Sequence, residues 1–145
     1  MLPLMVIILF GMFEGGYFLY NEHKALKGVR DGARYAARQP FTNFPCTGST
    51  ITDATLLANI QNVTRTGTAD GTGQEYIPGW TNGDITVSYD CDGTTTTGLY
   101  KSVDGGAPRV TVAADVDYTP LWGVIGFDAS SLSLKAEAQA AVMGL

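Results

Sequence analysis

Residues 2–38 read LPLMVIILFGMFEGGYFLYNEHKALKGVRDGARYAAR, and they predict one long helix with two different halves. The first half, residues 2–20, is almost entirely apolar. The second half, residues 21–38, contains no proline and places small or apolar residues among charged ones at helical spacing. Pro40 disfavours helical geometry at the residue before it, which predicts where the helix ends. At 1.5 Å per residue such a helix is about 55 Å long.

The second half predicts a helix that packs on one side and faces water on the other. Small or apolar residues recur at three- and four-residue steps on the expected packing face, and the foremost are Ala25, Val29, Gly32, Ala33 and Ala36. Basic residues and the single histidine fall on the opposite face, namely His23, Lys24, Lys27, Arg30, Arg34 and Arg38. Small side chains allow a close approach, and we expect a sheet to lie on them.

The first half is long enough to be a membrane span. About 20 apolar residues cross the hydrocarbon core of a bilayer, and residues 1–20 reach that length. Pro3 falls in the first helical turn, where its missing N–H costs little. A secretory signal peptide and a buried core helix are the alternatives. No basic residue precedes the apolar run and no small-x-small cleavage site follows it, which favours the span.

Three residues inside the apolar run indicate contact between helices. Gly11 and Gly15 form a Gly-xxx-Gly pair, which lets a second helix approach closely. Glu14 lies between them, and a carboxylate at membrane depth usually faces protein or water. The alternatives are that glycine is simply common in membrane helices and that Glu14 lies near an interface. We expect all three residues to take part in helix–helix assembly.

The order of these motifs resembles the N-terminal helix of the TadE-like pilins, minor subunits of the bacterial tight-adherence (Tad, or Flp) pilus machinery. The segments that carry the resemblance are Leu2-Pro3-Leu4, the GMFEG of residues 11–15 and the RDGARYAA of residues 30–37. The resemblance implies a minor pilin or pseudopilin that acts in pilus biogenesis and surface adhesion. Its implied partners are other pilin subunits and the inner-membrane assembly platform. The implied location is the bacterial inner membrane with a periplasmic C-terminal domain, or an extracellular pilus.

The sequence departs from the TadE-like pattern at its start. Precursors of that family carry a basic leader, a cleavage site and a Glu shortly before the Leu-Pro, whereas this sequence opens at Met1. We therefore expect a start placed too late or a truncated N-terminus, and we argue no peptidase processing from these residues. Glu14 corresponds to the second acidic position of the family.

Charge and length limit the size and the class of partner of the remaining chain. The protein has 145 residues and a net charge of −5. Residues 1–38 hold five Lys and Arg against three acids, whereas residues 39–145 hold four against eleven. We expect two parts, a spine helix over residues 1–39 and a small exported α+β domain over residues 40–145. An acidic domain is a poor match for nucleic acid, and the basic helix face is expected to be solvated or to face phospholipid.

The two cysteines, Cys46 and Cys91, are too far apart in sequence for a redox Cys-x-x-Cys motif. A metal site would need more ligands than one histidine can add. We expect a disulfide, which indicates an oxidising compartment, and two buried free thiols are the alternative.

The exported part predicts one short helix and several strands. Asp53 has N-cap chemistry ahead of an amphipathic run that Gly67 ends. Apolar and polar residues alternate over residues 85–91, 110–118 and 132–142, as in strands with one buried face. Two further short strands are expected, at Glu75–Ile77 and Leu99–Val103. Together these patterns predict an α+β, pilin-like fold in which a long N-terminal helix packs against a small antiparallel sheet, with one additional short helix.

Catalytic and cofactor motifs are not found in this sequence. His23 lies on the polar helix face, where a solvated role is expected. Four strand-end acids could gather around Ca²⁺, but their spacing is unlike that of an EF-hand; these are Asp90, Asp92, Asp115 and Asp117. We expect no enzyme activity and no cofactor. The alternative to a pilus subunit is a membrane-anchored extracytoplasmic binding module. Its sheet and the loops of Trp80 and Trp122 would recognise a surface or a partner.

Overall fold

The computed structural model describes residues 2–123, 126 and 132–144. Two helices, a three-stranded sheet and three short 3₁₀ turns make up this part of the chain, and the predicted α+β class is confirmed. The helices and strands are α1 (Leu2–Ala37), α2 (Ala54–Thr66), β1 (Ile85–Asp92), β2 (Ala107–Asp117) and β3 (Ser133–Ala141).

The sheet is antiparallel throughout, in the order β1-β2-β3. Val112 lies at its centre, opposite Val87 on one side and Ala138 on the other. Because side chains alternate between the faces of a strand, one face of the sheet is apolar and buried and the other is polar. The inward residues with the least exposure are Ile85, Tyr89, Pro108, Val110, Val112, Val116 and Leu134.

Both helices cover the apolar face of the sheet, with α1 against β2 and β3 and α2 against α1 and β1. Ala25, Val29, Ala33 and Ala36 of α1 are buried in the common core. Gly32 differs from its predicted role, because it faces α2 rather than the sheet. A Cβ added there would lie 2.0 Å from the Thr64 hydroxyl oxygen.

Gly28, one turn before Gly32, lies in the same helix–helix contact. A Cβ added at Gly28 would lie 2.3 Å from the backbone oxygen of Thr64 and 2.8 Å from the Trp80 ring. The two glycines therefore form a groove into which α2 packs, because any side chain would push the helices apart. Which residues of α1 face α2 depends on how α1 is rotated about its own axis. The periodicity of the sequence alone does not specify that rotation.

Helix α2 begins and ends where its sequence predicts. The Asp53 carboxylate accepts hydrogen bonds from the backbone N–H of Thr55 at 2.8 Å and of Leu56 at 3.2 Å. Such a cap pairs N–H groups that have no partner inside the helix. Gly67 closes the helix in the left-handed region, at φ 79°.

Two predicted strands are wrong. Leu99–Val103 is not extended, because a 3₁₀ turn occupies Gly98–Tyr100 and leaves Leu99 56% exposed. Glu75–Ile77 pairs with no strand among the described residues. Its Tyr76 backbone N–H instead donates to the Arg65 carbonyl at 2.9 Å, which ties the segment to α2. Short apolar runs do not by themselves distinguish a strand from a packed loop.

Cys46 and Cys91 form a disulfide in the structure, with their Cα atoms 5.7 Å apart. The bond joins the segment after α1 to the end of β1. Tyr89 strengthens the same connection. Its backbone N–H donates a hydrogen bond to the Ser49 carbonyl oxygen at 3.0 Å, and its hydroxyl donates one to the Pro45 carbonyl oxygen at 2.7 Å.

Candidate assembly surface and the Glu14 site

The first half of α1 projects most of its apolar side chains outward. By length and composition α1 could cross a membrane, since its most apolar 18-residue window has a mean hydropathy of 1.5 and is not buried within the chain. The large side chains that remain more than half exposed are Leu4, Met5, Ile7, Leu9, Met12, Phe13, Leu19 and Tyr20. A continuous apolar surface of this kind marks a contact with lipid or with other protein.

Gly11 and Gly15 lie on the open part of this surface. A Cβ added at either position would meet no atom of the described chain within 4 Å. The pair therefore offers a flat backbone strip to an external helix, as the Gly-xxx-Gly motif requires. Gly16, the next residue, is equally open.

Glu14 is different, because its carboxylate is held by the same chain. It accepts hydrogen bonds from the Tyr118 hydroxyl, from the backbone N–H of Leu121 at 3.1 Å and from the backbone N–H of Trp122 at 3.3 Å. The donors that hold Glu14 thus come from its own chain, and its expected part in helix–helix assembly stays a prediction. The segment after β2 folds down along α1 and supplies the donors itself.

Aromatic contacts fasten this segment, the Tyr118–Gly123 loop, to one face of α1. The Trp122 ring meets Phe10 edge-on, with ring centroids 4.7 Å apart. The Tyr118 ring meets Phe18 in the same way at 5.1 Å and lies 6.2 Å from the Tyr17 ring. Edge-to-face pairs of this kind stabilise a contact beyond the apolar area they bury. The packed face of α1 thus continues from Phe18 to Phe10, about two turns toward the N-terminus.

The Glu14 site binds a carboxylate with three donors from one loop. Tyr118 is only 5% exposed, and burial together with the adjacent Glu14 raises the pKa of its phenol above the ordinary value. A neutral phenol is the form that can donate to the carboxylate. The site therefore satisfies the Glu14 carboxylate with donors from the same chain.

The sequence contains no direct sign of this pairing. Tyr118 stands at the last inward position of the β2 pattern, which predicts burial but no partner. Leu121 and Trp122 take part through backbone N–H groups, which their side chains do not reveal. Glu14 and Tyr118 are 104 residues apart, so only the three-dimensional fold joins them.

The basic face of α1 lies outside the core and near Tyr76. The Lys27 ammonium lies 3.9 Å from the centroid of the Tyr76 ring and 3.4 Å from the Asp31 carboxylate. The hydrogen bond with Tyr76 and the charge of Asp31 raise the pKa of Lys27 despite slight desolvation. Arg30 and Arg34 are exposed. Most of this face is a solvated cationic surface next to the apolar half of the helix.

Three of the four acids considered for Ca²⁺ are engaged elsewhere. Asp90 pairs with Arg109 at 2.6 Å and Asp115 with Lys135 at 3.2 Å, both across the outer face of the sheet. Asp92 caps its own turn. Within residues 2–123, 126 and 132–144, no group of three or more His, Cys, Asp or Glu side chains is placed to hold a metal ion.

Trp80 does not form a recognition surface, contrary to the binding-module alternative. Its ring is fully buried between α1 and the rest of the core. Trp122 is half-buried against Phe10, and its indole nitrogen is covered without a hydrogen-bond partner in the described part of the chain. Neither indole is presented to solvent as a whole.

Comparison with known protein families finds a match for the N-terminal segment. Residues 1–34 match the family described as TadE-like protein, which confirms the resemblance stated from the sequence. The match covers 34 of the 145 residues, namely the apolar half of α1 and most of its packing half. No curated protein and no solved structure matches this chain.

Proposed function

We propose that this chain is a structural or assembly subunit, a minor pilin or pseudopilin, of a Tad-type pilus. It would act in pilus biogenesis and surface adhesion. Its partners would be other pilin subunits and the inner-membrane assembly platform. The anchored form would lie in the bacterial inner membrane with residues 40–145 in the periplasm, and the assembled form would lie in the extracellular pilus.

One observation supports this proposal above the others. The segment that matches the TadE-like family is the same helix that projects an uncovered apolar surface with an open Gly11–Gly15 strip. A subunit that assembles through its N-terminal helix needs such a strip, because helices in lipid associate through close backbone packing. The family is pilus-associated and structural rather than catalytic, and we propose no enzyme activity.

The disulfide also supports an exported domain. Disulfides persist in oxidising compartments such as the bacterial periplasm, and the Cys46–Cys91 bond lies in the part proposed to be exported.

The cationic face of α1 directly follows the apolar half. That face would lie outside the membrane, beside neighbouring subunits or lipid headgroups.

The test replaces glycines on the open strip. Gly11→Leu and Gly15→Leu would block a close helix contact without touching the described fold, since both positions are open. Gly16→Leu is the matched control, because it adds the same side chain at an open position about 100° around the helix from Gly15. We expect the first two variants to lose surface pili and attachment at normal protein levels, and the control to retain them.

Two outcomes would contradict the proposal. Wild-type piliation in the double glycine variant would show that the strip is not an assembly contact. Pili that persist while a Trp122→Ala variant loses attachment would favour the membrane-anchored binding module instead. Membrane fractions must contain equal amounts of each variant, so that lost pili are not caused by degradation.

A further inference from the structure

The Tyr118–Gly123 loop reaches far down the apolar half of α1. Trp122 touches Phe10, and its backbone N–H reaches the Glu14 carboxylate. Tyr20, at the end of the apolar run, lies ten residues beyond Phe10. At 1.5 Å per residue the loop therefore reaches along α1 to about 15 Å on the N-terminal side of Tyr20.

This reach constrains where a bilayer could end. If the membrane covered α1 up to Tyr20, the loop would be immersed in it. If the membrane ended at Glu14, the loop would lie on its surface, because Leu121 and Trp122 bind that carboxylate. In both arrangements the loop contacts lipid. The second is favoured, since an ionisable side chain is costly deeper in the hydrocarbon. It shortens the inserted part of the described helix from residues 2–20 to residues 2–13, about 18 Å.

The chemistry of the loop fits the boundary between headgroups and acyl chains. Leu121 is 45% exposed and Leu132, where the described chain resumes, is 49% exposed. The backbone N–H groups of Leu121 and Trp122 are already satisfied by Glu14, as a water-poor surrounding requires. Trp122 is partly exposed, and tryptophan is among the residues that concentrate at membrane interfaces.

We propose that the Tyr118–Gly123 loop is a lipid-contacting surface that holds the globular part of the protein on the bilayer at the level of Glu14. The proposal rests on the membrane anchoring in the proposed function. The globular part would then sit directly on the membrane and not at the end of a bare helical stalk. The occupant of the loop surface is the phospholipid interface around α1, because that surface is continuous with the apolar helix.

The test uses the two tryptophans of the chain as depth probes. The full chain is reconstituted in phosphatidylcholine vesicles whose acyl chains carry bromine near the headgroup, and in unbrominated vesicles. Bromine quenches a nearby indole. Trp122→Phe leaves Trp80, which is fully buried in the core, as the internal control. Trp80→Phe leaves Trp122 alone and provides the second measurement.

We expect the wild type and Trp80→Phe to lose the emission of Trp122 in brominated vesicles, and Trp122→Phe to keep nearly all of its emission. Bromine near the bilayer centre should quench Trp122 less than bromine near the headgroup. Equal, weak quenching of all three proteins in vesicles with which they co-float would overturn the loop proposal alone. Failure to co-float with vesicles would overturn the anchoring and the loop proposal together.

Discussion

The Tyr118 hydroxyl donates a hydrogen bond to the Glu14 carboxylate, and this pair joins the end of β2 to the apolar half of α1 across 104 residues. The contact gives Glu14 a partner within its own chain. Neighbouring residues of α1 therefore make different kinds of contact. Gly11 and Gly15 face outward and are open to another helix, whereas Glu14 holds a loop of its own domain.

Removing the Tyr118 hydroxyl should loosen the loop. We expect Tyr118→Phe to lower the free energy of unfolding by about 1.5–3 kcal/mol, the usual range for a hydrogen bond to a charged group. The same substitution in a Glu14→Gln background should have a smaller effect, because the charged acceptor is already gone. Chemical denaturation of the full chain in detergent, followed by circular dichroism, measures both. Tyr20→Phe is the control, since Tyr20 is 56% exposed. Strictly additive effects of the two substitutions would contradict a direct pair.

Tyr118 should also be detectable by its titration. Its pKa is raised mainly by burial and also by Glu14, so the folded state holds the phenolic proton more tightly than the unfolded chain. The resulting stability is fully present below about pH 10, the ordinary tyrosine pKa, and is lost as pH rises above it. In a pH titration followed by tyrosinate absorbance at 295 nm, one of the seven tyrosines should ionise at higher pH than the others. Tyr118→Phe should remove that late ionisation, and its persistence in the variant would assign it elsewhere.

The glycine groove between α1 and α2 should not tolerate a methyl group. Gly28→Ala should destabilise the fold by about 1–3 kcal/mol, because the new Cβ meets backbone and a rigid indole. Gly32→Ala meets the Thr64 hydroxyl, so adding Thr64→Ala should recover part of its loss. Thermal melts of the full chain measure these effects. Arg34→Gln is the control on the exposed face of α1 and should change stability by less than about 0.5 kcal/mol. Equal effects at Gly28 and Arg34 would contradict the packing.

The disulfide should contribute strongly to the stability of residues 40–145. Replacing both Cys46 and Cys91 with Ser should lower the free energy of unfolding by about 4 kcal/mol, the chain-entropy value for closing a loop with a sequence separation of 45. Intact mass with and without reductant tests the bond directly. Alkylation of both thiols in unreduced, unfolded protein from an export-competent strain would show that the bond does not form.

Several features follow from local sequence alone. An apolar run of 20 residues followed by a proline-free amphipathic run specifies α1, because both patterns are read within a few helical turns. The Asp53 cap and Gly67 stop specify α2 for the same reason. Alternation over seven or more residues specifies β1, β2 and β3, since the side-chain period of a strand is two. Each of these signals needs only neighbours in the chain.

Tertiary structure decided the features that depend on distant partners. Glu14 binds donors 104 to 108 residues away, and no local pattern encodes which carboxylate a loop will meet. Gly28 and Gly32 face α2 because the whole core determines the rotation of α1. Glu75–Ile77 and Leu99–Val103 look like strands in isolation, but a strand forms only where a neighbouring ladder can receive its hydrogen bonds. Local sequence thus specifies both halves of α1, whereas the contact between Glu14 and the Tyr118–Gly123 loop exists only in the folded chain.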